Sequence, residues 1–228
     1  MKPQMTHEWE LSLERAKVLQ SDLRRQVVLD DRPEPTTGLV AGVDLAYEIE
    51  GDRLAAAVVI LDTTTRKVIE ESVVEGRATF PYAPGYLSFR EIPSLIEAFS
   101  KIGSKPEYIV CDGQGRAHPR RFGLACHLGV LFDIPTIGCA KTRFIGEFDE
   151  PGANRGSWSE LLDDGEVIGA VVRTRDDTKP LFVSQGHRIS LECSIETILA
   201  WANPYRQPEP IRASHGAANR VRASWGCE

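Results

Sequence analysis

The sequence predicts an α/β fold. Three closely spaced strand candidates joined by short turns open the main body of the chain. Strand and helix candidates then alternate. Over 228 residues the composition is 42% hydrophobic and 26% charged, enough apolar material for the core of one larger domain.

Residues 6–29 carry the first helix pattern. Trp9, Leu13, Ala16, Leu19, Leu23 and Val27 recur at three- and four-residue steps, with Thr6 as the expected N-cap. Asp30 to Pro35 should end it. Leu39–Tyr47, Leu54–Leu61 and Lys67–Val74 read as strands, separated by Gly51-Asp52 and by Asp62–Thr65. Such short connections favour an antiparallel meander.

Phe80–Gly85 is a proline- and glycine-punctuated loop. Pro93–Ile102 is expected as a helix, with Pro93 in its first turn. Tyr108–Cys111 is a short apolar strand, Arg120–Phe132 a helix and Ile134–Cys139 a further strand. That order makes a right-handed parallel crossover. Glu166–Arg173 and Leu181–Ser184 read as later strands, Ser190–Trp201 and Arg212–Ser224 as helices, and Glu150–Ser159 as a polar loop. A mixed central sheet, antiparallel meander first and parallel strands after, flanked by helices, suits a ribonuclease H-like fold. One domain is expected over 1–228, with 1–35 as an N-terminal helix and linker and 216–228 as a flexible C-terminal tail.

The five cysteines form no CxxC pair, which argues against a disulfide framework or a zinc site. The N-terminus lacks signal-peptide features and no apolar run reaches membrane-spanning length, so a cytoplasmic protein without membrane partners is expected. No coiled-coil pattern is evident, so a monomer is the default. The net charge of −6 argues mildly against nucleic acid, but basic residues gather at Arg116–Arg121, Lys141–Arg143 and Arg206–Arg222. A site that holds a divalent cation also needs negative charge.

Three acids stand out. Asp44 interrupts the apolar run Leu39–Val43, and a buried carboxylate is costly unless paired, hydrogen-bonded or metal-bound. Asp112 follows the strand Tyr108–Cys111 and precedes Gly113-Gln114-Gly115, where α/β proteins place ligand sites. Glu91 lies at a helix entry, where a solvated first-turn glutamate is the ordinary alternative. Capping is the alternative for both aspartates. Adjacent first and fourth strands would bring Asp44 and Asp112 together, and the loop leaving the third strand could deliver Glu91. Clustered carboxylates bind hard cations such as Mg²⁺ and suit hydrolysis of a phosphodiester.

The segment Phe80-Pro81-Tyr82-Ala83-Pro84-Gly85-Tyr86-Leu87-Ser88-Phe89-Arg90-Glu91 resembles a long motif of the endonuclease V family. Gly42-Val43-Asp44, Asp112–Gly115 with His118-Pro119-Arg120, Ile134–Lys141, Gly186–Arg188 and Tyr205–Arg212 resemble further motifs of it, in order. The resemblance implies a ribonuclease H-like fold and a Mg²⁺ cofactor, with Mn²⁺ as a substitute. It implies DNA repair at deoxyinosine, with hydrolysis of the second phosphodiester bond 3′ to the lesion, leaving 3′-hydroxyl and 5′-phosphate ends. Asp44, Glu91 and Asp112 match the family's metal-binding carboxylates. His215 matches a histidine near the metal, and Lys141 and His118 match basic residues that support the site. Tyr82 matches the wedge that fills the space left by an extruded base. Packing in a rigid loop is the alternative for Tyr82. Backbone groups near Gly85, Leu87, Gly113 and Gly123 are candidates to read the base, with Gly115 in the same turn, and Arg116, Arg120, Arg121 and Arg143 are candidates for phosphate contacts. Gln114 stands where many bacterial members carry histidine, and Cys139 where valine is common. Inosine-specific cleavage of RNA and a non-cutting hypoxanthine-binding module are the alternative functions.

Overall fold

The computed structural model describes residues 1–30 and 38–225. Most of the expected helix terminator Asp30–Pro35, the end of the C-terminal tail and Cys227 lie outside the described residues. Eight strands form one sheet in the order β3-β2-β1-β4-β5-β8-β7-β6. The strands are β1 (Leu39–Tyr47), β2 (Arg53–Asp62), β3 (Val68–Arg77), β4 (Tyr108–Cys111), β5 (Thr136–Ala140), β6 (Trp158–Asp163), β7 (Glu166–Val172) and β8 (Leu181–His187). The helices are α1 (Leu13–Arg24), α2 (Leu87–Ser100), α3 (Leu124–Phe132), α4 (Leu191–Trp201) and α5 (Glu209–Ser224).

The expected mixed sheet is present. β1, β2 and β3 form the antiparallel meander, and β1, β4 and β5 run parallel. Beyond β5 the sheet turns antiparallel again through β8, β7 and β6. Alternation along β1 sends Ala41 and Val43 to the core beneath α2 and α3, and Val40 and Ala46 to the core beneath α4 and α5.

Several boundaries differ from the sequence expectation. The first helix starts at Leu13, capped by Ser12, whose Oγ accepts from Arg15 N–H at 3.3 Å, and Thr6 lies outside it. α2 starts at Leu87, so Glu91 sits in its second turn and Pro93 in its interior. The burial of Phe89, Ile92, Leu95 and Phe99 along one stripe outweighs the backbone hydrogen bond Pro93 cannot donate. α3 starts only at Leu124 because Arg121 adopts a left-handed φ of 54°, which no helix accepts. Gly123 is therefore its N-cap. β6 was not anticipated as a strand: it forms a hairpin with β7 through Asp164-Gly165, at φ values of 52° and 77°. The final helix expected over Arg212–Ser224 is present as α5, starting at Glu209, so residues 216–224 are helical rather than a flexible tail.

Candidate active site

The register of β1 and β4 sets the centre of the site. Val43 lies opposite Cys111, and Asp112 N–H donates to Val43 O at 3.3 Å. Asp44, inside β1, and Asp112, just past the end of β4, thus sit side by side on neighbouring parallel strands. α5 crosses above them and brings in His215. Ligand atoms of Asp44, Asp112 and His215 lie within 4.8 Å of one another. His215 Nδ1 is 2.7 Å from Asp44 Oδ2, and Leu45 N–H donates to Asp44 Oδ1 at 2.8 Å. Lys141, just past β5, places Nζ 2.6 Å from Asp112 Oδ2.

The crossing of α5 depends on Gly42. A Cβ there would stand 1.9 Å from Pro210 O. Only a glycine lets the helix start approach β1 this closely.

Glu91 reaches the site from the other side of the sheet. Asp44 follows the parity of Val40 and Ala46, toward α5, while α2 packs on the opposite face. Glu91 falls outside the set of ligand atoms within 4.8 Å of one another, yet the charges of both Asp44 and Asp112 act on its carboxyl. Burial, then the charge of Asp44, pushes its carboxyl up to about 8, against the hydrogen bond Tyr47 O–H donates to it at 3.3 Å. Burial, then the charge of Asp112, also raises Asp44. Such crowding of poorly solvated acids is what a bound divalent cation relieves.

Beside the cluster opens a cavity of about 450 Å³ that shares Asp112 and Lys141 with it. Of the residues predicted to meet the base, Tyr82, Gly85, Leu87, Gly113, His118 and Gly123 line it. Tyr82 is 79% exposed at its rim, so the packed alternative for this ring fails. Gly115 and Arg120 are not in the lining. Gly115 is buried, and a Cβ on it would stand 2.1 Å from Gln185 O. Arg120 instead braces the loop. Gly85 O accepts from Arg120 Nη2 at 2.6 Å, from His118 Nε2 at 3.0 Å and from Gln20 Nε2 at 3.0 Å. Arg120 Nε in turn donates to Gln20 Oε1 at 2.5 Å.

The expected phosphate contacts of Arg116 and Arg121 do not fit. Both pair with Glu166, and Arg121 also pairs with Asp163. Arg143 remains exposed next to Lys141 and lines the cavity.

Sequence reasoning missed Tyr47, Gln20 and a buried chain of polar groups. His127 Nδ1 is 3.0 Å from Ser88 Oγ, and His127 Nε2 is 2.8 Å from His7 Nε2. Burial lowers both rings and keeps them neutral. The chain ties residues 1–11 to the start of α2. His127 is fully buried on the apolar helix α3, and its partners come from distant segments and left no local signal.

The ribonuclease H-like sheet and its acidic centre define a metal-dependent nuclease. The chain belongs to the endonuclease V family, whose pattern matches residues 21–216. An endonuclease V from Streptomyces coelicolor is 51% identical over 90% of this chain and 88% of its own length. The crystal structure of endonuclease V from Streptomyces avermitilis superposes with a TM-score of 0.91 at 43% identity, covering 99% of this chain and 100% of that one. Endonuclease V from Ciona intestinalis has a TM-score of 0.82 at 26% identity, covering 93% and 98%. That structure is a complex with a 24mer DNA containing an inosine followed by a ribo-adenosine. Among the described residues, no helix is long and apolar enough to cross a membrane.

Proposed function

We propose that the protein nicks DNA at deoxyinosine with Mg²⁺, or Mn²⁺ in its place, hydrolysing the second phosphodiester bond 3′ to the lesion. One observation carries this: a carboxylate cluster shares Asp112 and Lys141 with a cavity that suits a purine base. The Ciona complex supports the inosine reading by family likeness.

The donor set fits a hard cation. Asp44 and Asp112 offer carboxylate oxygens and His215 a ring nitrogen, and Glu91, coupled to both aspartates, would add a third carboxylate once a cation favours its ionised form. Asp44 and Asp112 would hold such a cation, which would supply Lewis-acid stabilisation of the charge building on a phosphate. Lys141, paired with Asp112 at 2.6 Å and half exposed, is placed to neutralise a strand phosphate at the metal site. Tyr82 fills the stack when the base leaves it, and the three donors on Gly85 O keep its loop rigid while it does so. Hypoxanthine pairs poorly, so its extrusion costs less than that of a normal base.

The test is cleavage-site mapping on an end-labelled duplex with one deoxyinosine. A nick at the second 3′ phosphodiester, leaving 3′-hydroxyl and 5′-phosphate, is expected with Mg²⁺ and Mn²⁺. Binding without cutting in either metal would leave only a hypoxanthine-binding module. A second reading, cleavage of inosine-containing RNA, is favoured by the ribo-adenosine next to the inosine in the Ciona complex. Faster cutting of an inosine RNA under the same conditions would select it.

A further inference from the structure

Of the family-like segment Tyr205–Arg212, the cation cluster and the cavity use no residue. Arg212 lies in the first turn of α5, three positions before His215. Side chains at that spacing share a helix face, about 5–6 Å apart. His215 meets Asp44 on that face.

The Arg212 guanidinium is held in one orientation. Its Cζ lies 3.3 Å from the centroid of the Tyr205 ring, and its Nη1 pairs with Glu209. Among the described residues, Nε and Nη2 meet no acceptor. Neither ring nor guanidinium is buried: Tyr205 is 48% exposed, and 33% of the Arg212 side chain faces solvent. An exposed pair of this kind adds little to stability. A planar fork fixed on a ring, with donors to spare, suits a phosphate.

The two faces of the sheet give the direction. The starts of α2 and α3 wall the cavity through Leu87, Ser88, Gly123 and Leu124, and both helices pack on one face. α5 packs on the other, through Ile211, Ala217 and Ala218. Asp112 belongs to the cavity and to the cation cluster, so the cluster lies between cavity and α5. A strand with its extruded base in the cavity and its scissile phosphate at the cluster reaches α5 with the phosphates that follow.

We propose that Arg212, stacked on Tyr205, binds a backbone phosphate of the cut strand on the 3′ side of the scissile bond. The proposal rests on the deoxyinosine reading above, because cutting the second bond 3′ to the lesion sets the polarity. The contact holds the strand in register across the cation and carries no sequence information. A contact made equally before and during the chemical step lowers KM and leaves kcat unchanged.

Arg212→Gln removes the charge and keeps a polar side chain. Nicking of a deoxyinosine duplex is measured over a range of salt for the full-length wild type and variant. KM should rise about five- to tenfold with kcat little changed, the worth of one hydrogen bond to a charged group. The slope of log kcat/KM against log salt should become shallower by about one. Arg212→Lys should recover the slope but only part of the KM, since an ammonium offers no planar fork. Single methylphosphonates, each removing one backbone charge, then locate the phosphate. At the first or second phosphate 3′ of the scissile bond, the substitution should raise the wild-type KM as Arg212→Gln does, and the two changes together should raise it no further. No loss in the wild type at either position, or losses that multiply at both, overturns the proposal and leaves Arg212 a brace for Tyr205. A shared loss found only 5′ of the lesion or on the opposite strand overturns it too. The melting temperature should stay within about 2 °C of the wild type, as for an exposed pair, and the methylphosphonate losses in the wild type do not depend on how the variant folds. A wild type that leaves the second 3′ bond of the deoxyinosine strand uncut overturns the lesion reading instead, before any variant is considered.

Discussion

His118 shows how one side chain can be fixed by its neighbours. Its Nε2–H donates to Gly85 O, and its Nδ1 accepts from Arg120 N–H at 3.1 Å. Only the neutral ring can do both. Burial, aided by the charge of Arg120, lowers its pKa to about 4. The unfolded chain takes up this proton near pH 6.5 and the folded chain only near pH 4. The folded state therefore keeps the full benefit above pH 6.5 and loses it as pH falls through that window. The loss from this ring amounts to about 2 kcal/mol between pH 7 and pH 5. Gln can make both hydrogen bonds without titrating. Urea unfolding of His118→Gln should show a pH dependence flatter by about that amount over this range. Parallel wild-type and variant curves would refute the assignment of a neutral, proton-excluding His118.

At the level of elements, the site depends on α5 lying against β1. Proline at the start of α5 and glycine at position 42 allow the close crossing, and that crossing carries His215 to Asp44. Gly42→Ala cannot be absorbed by a side-chain rotation, because the obstruction is the Pro210 carbonyl. The helix start must move. Such overpacking costs about 1–3 kcal/mol, and the displacement also separates His215 from the acids. Nicking well below the melting temperature should fall at least tenfold, a loss that incomplete folding does not explain. A folded Gly42→Ala protein with wild-type nicking would show that α5 position is not needed.

Across the whole molecule, the sheet gathers negative charge from three separated segments into one poorly hydrated place. Folding bears that repulsion, and a cation returns it. A metal at a hundred times its dissociation constant adds about 2.7 kcal/mol to the folded state. For a chain of this size that corresponds to a rise in melting temperature of roughly 5–10 °C. Mg²⁺ or Mn²⁺ should produce such a rise, EDTA should reverse it, and Asp44→Asn or Asp112→Asn should abolish it. An equal rise in both variants would place the cation elsewhere.

The local sequence determined much of this protein. Asp44 and Asp112 were visible because each interrupts an apolar strand, and an interruption there needs a physical reason. Order and spacing of β1 to β5 followed from turn residues and apolar runs, and the Phe80–Glu91 and Asp112–Gly115 motifs pointed to the family. The Asp164-Gly165 hairpin was not read from the sequence, although its turn dipeptide is a local signal that could have revealed it. Other features had no local signature. Glu91 could be assigned to the metal site only through the family motif, since locally it also fits a first-turn glutamate; the placement of α2 is what buries it within reach of the charges of Asp44 and Asp112. The bracing of Gly85 O by residues 20, 118 and 120 and the ion pairs of Arg116 and Arg121 arise between segments distant in the chain. Periodicity reports which face of an element is apolar. Which charged groups meet is decided when those faces pack and water is excluded between them.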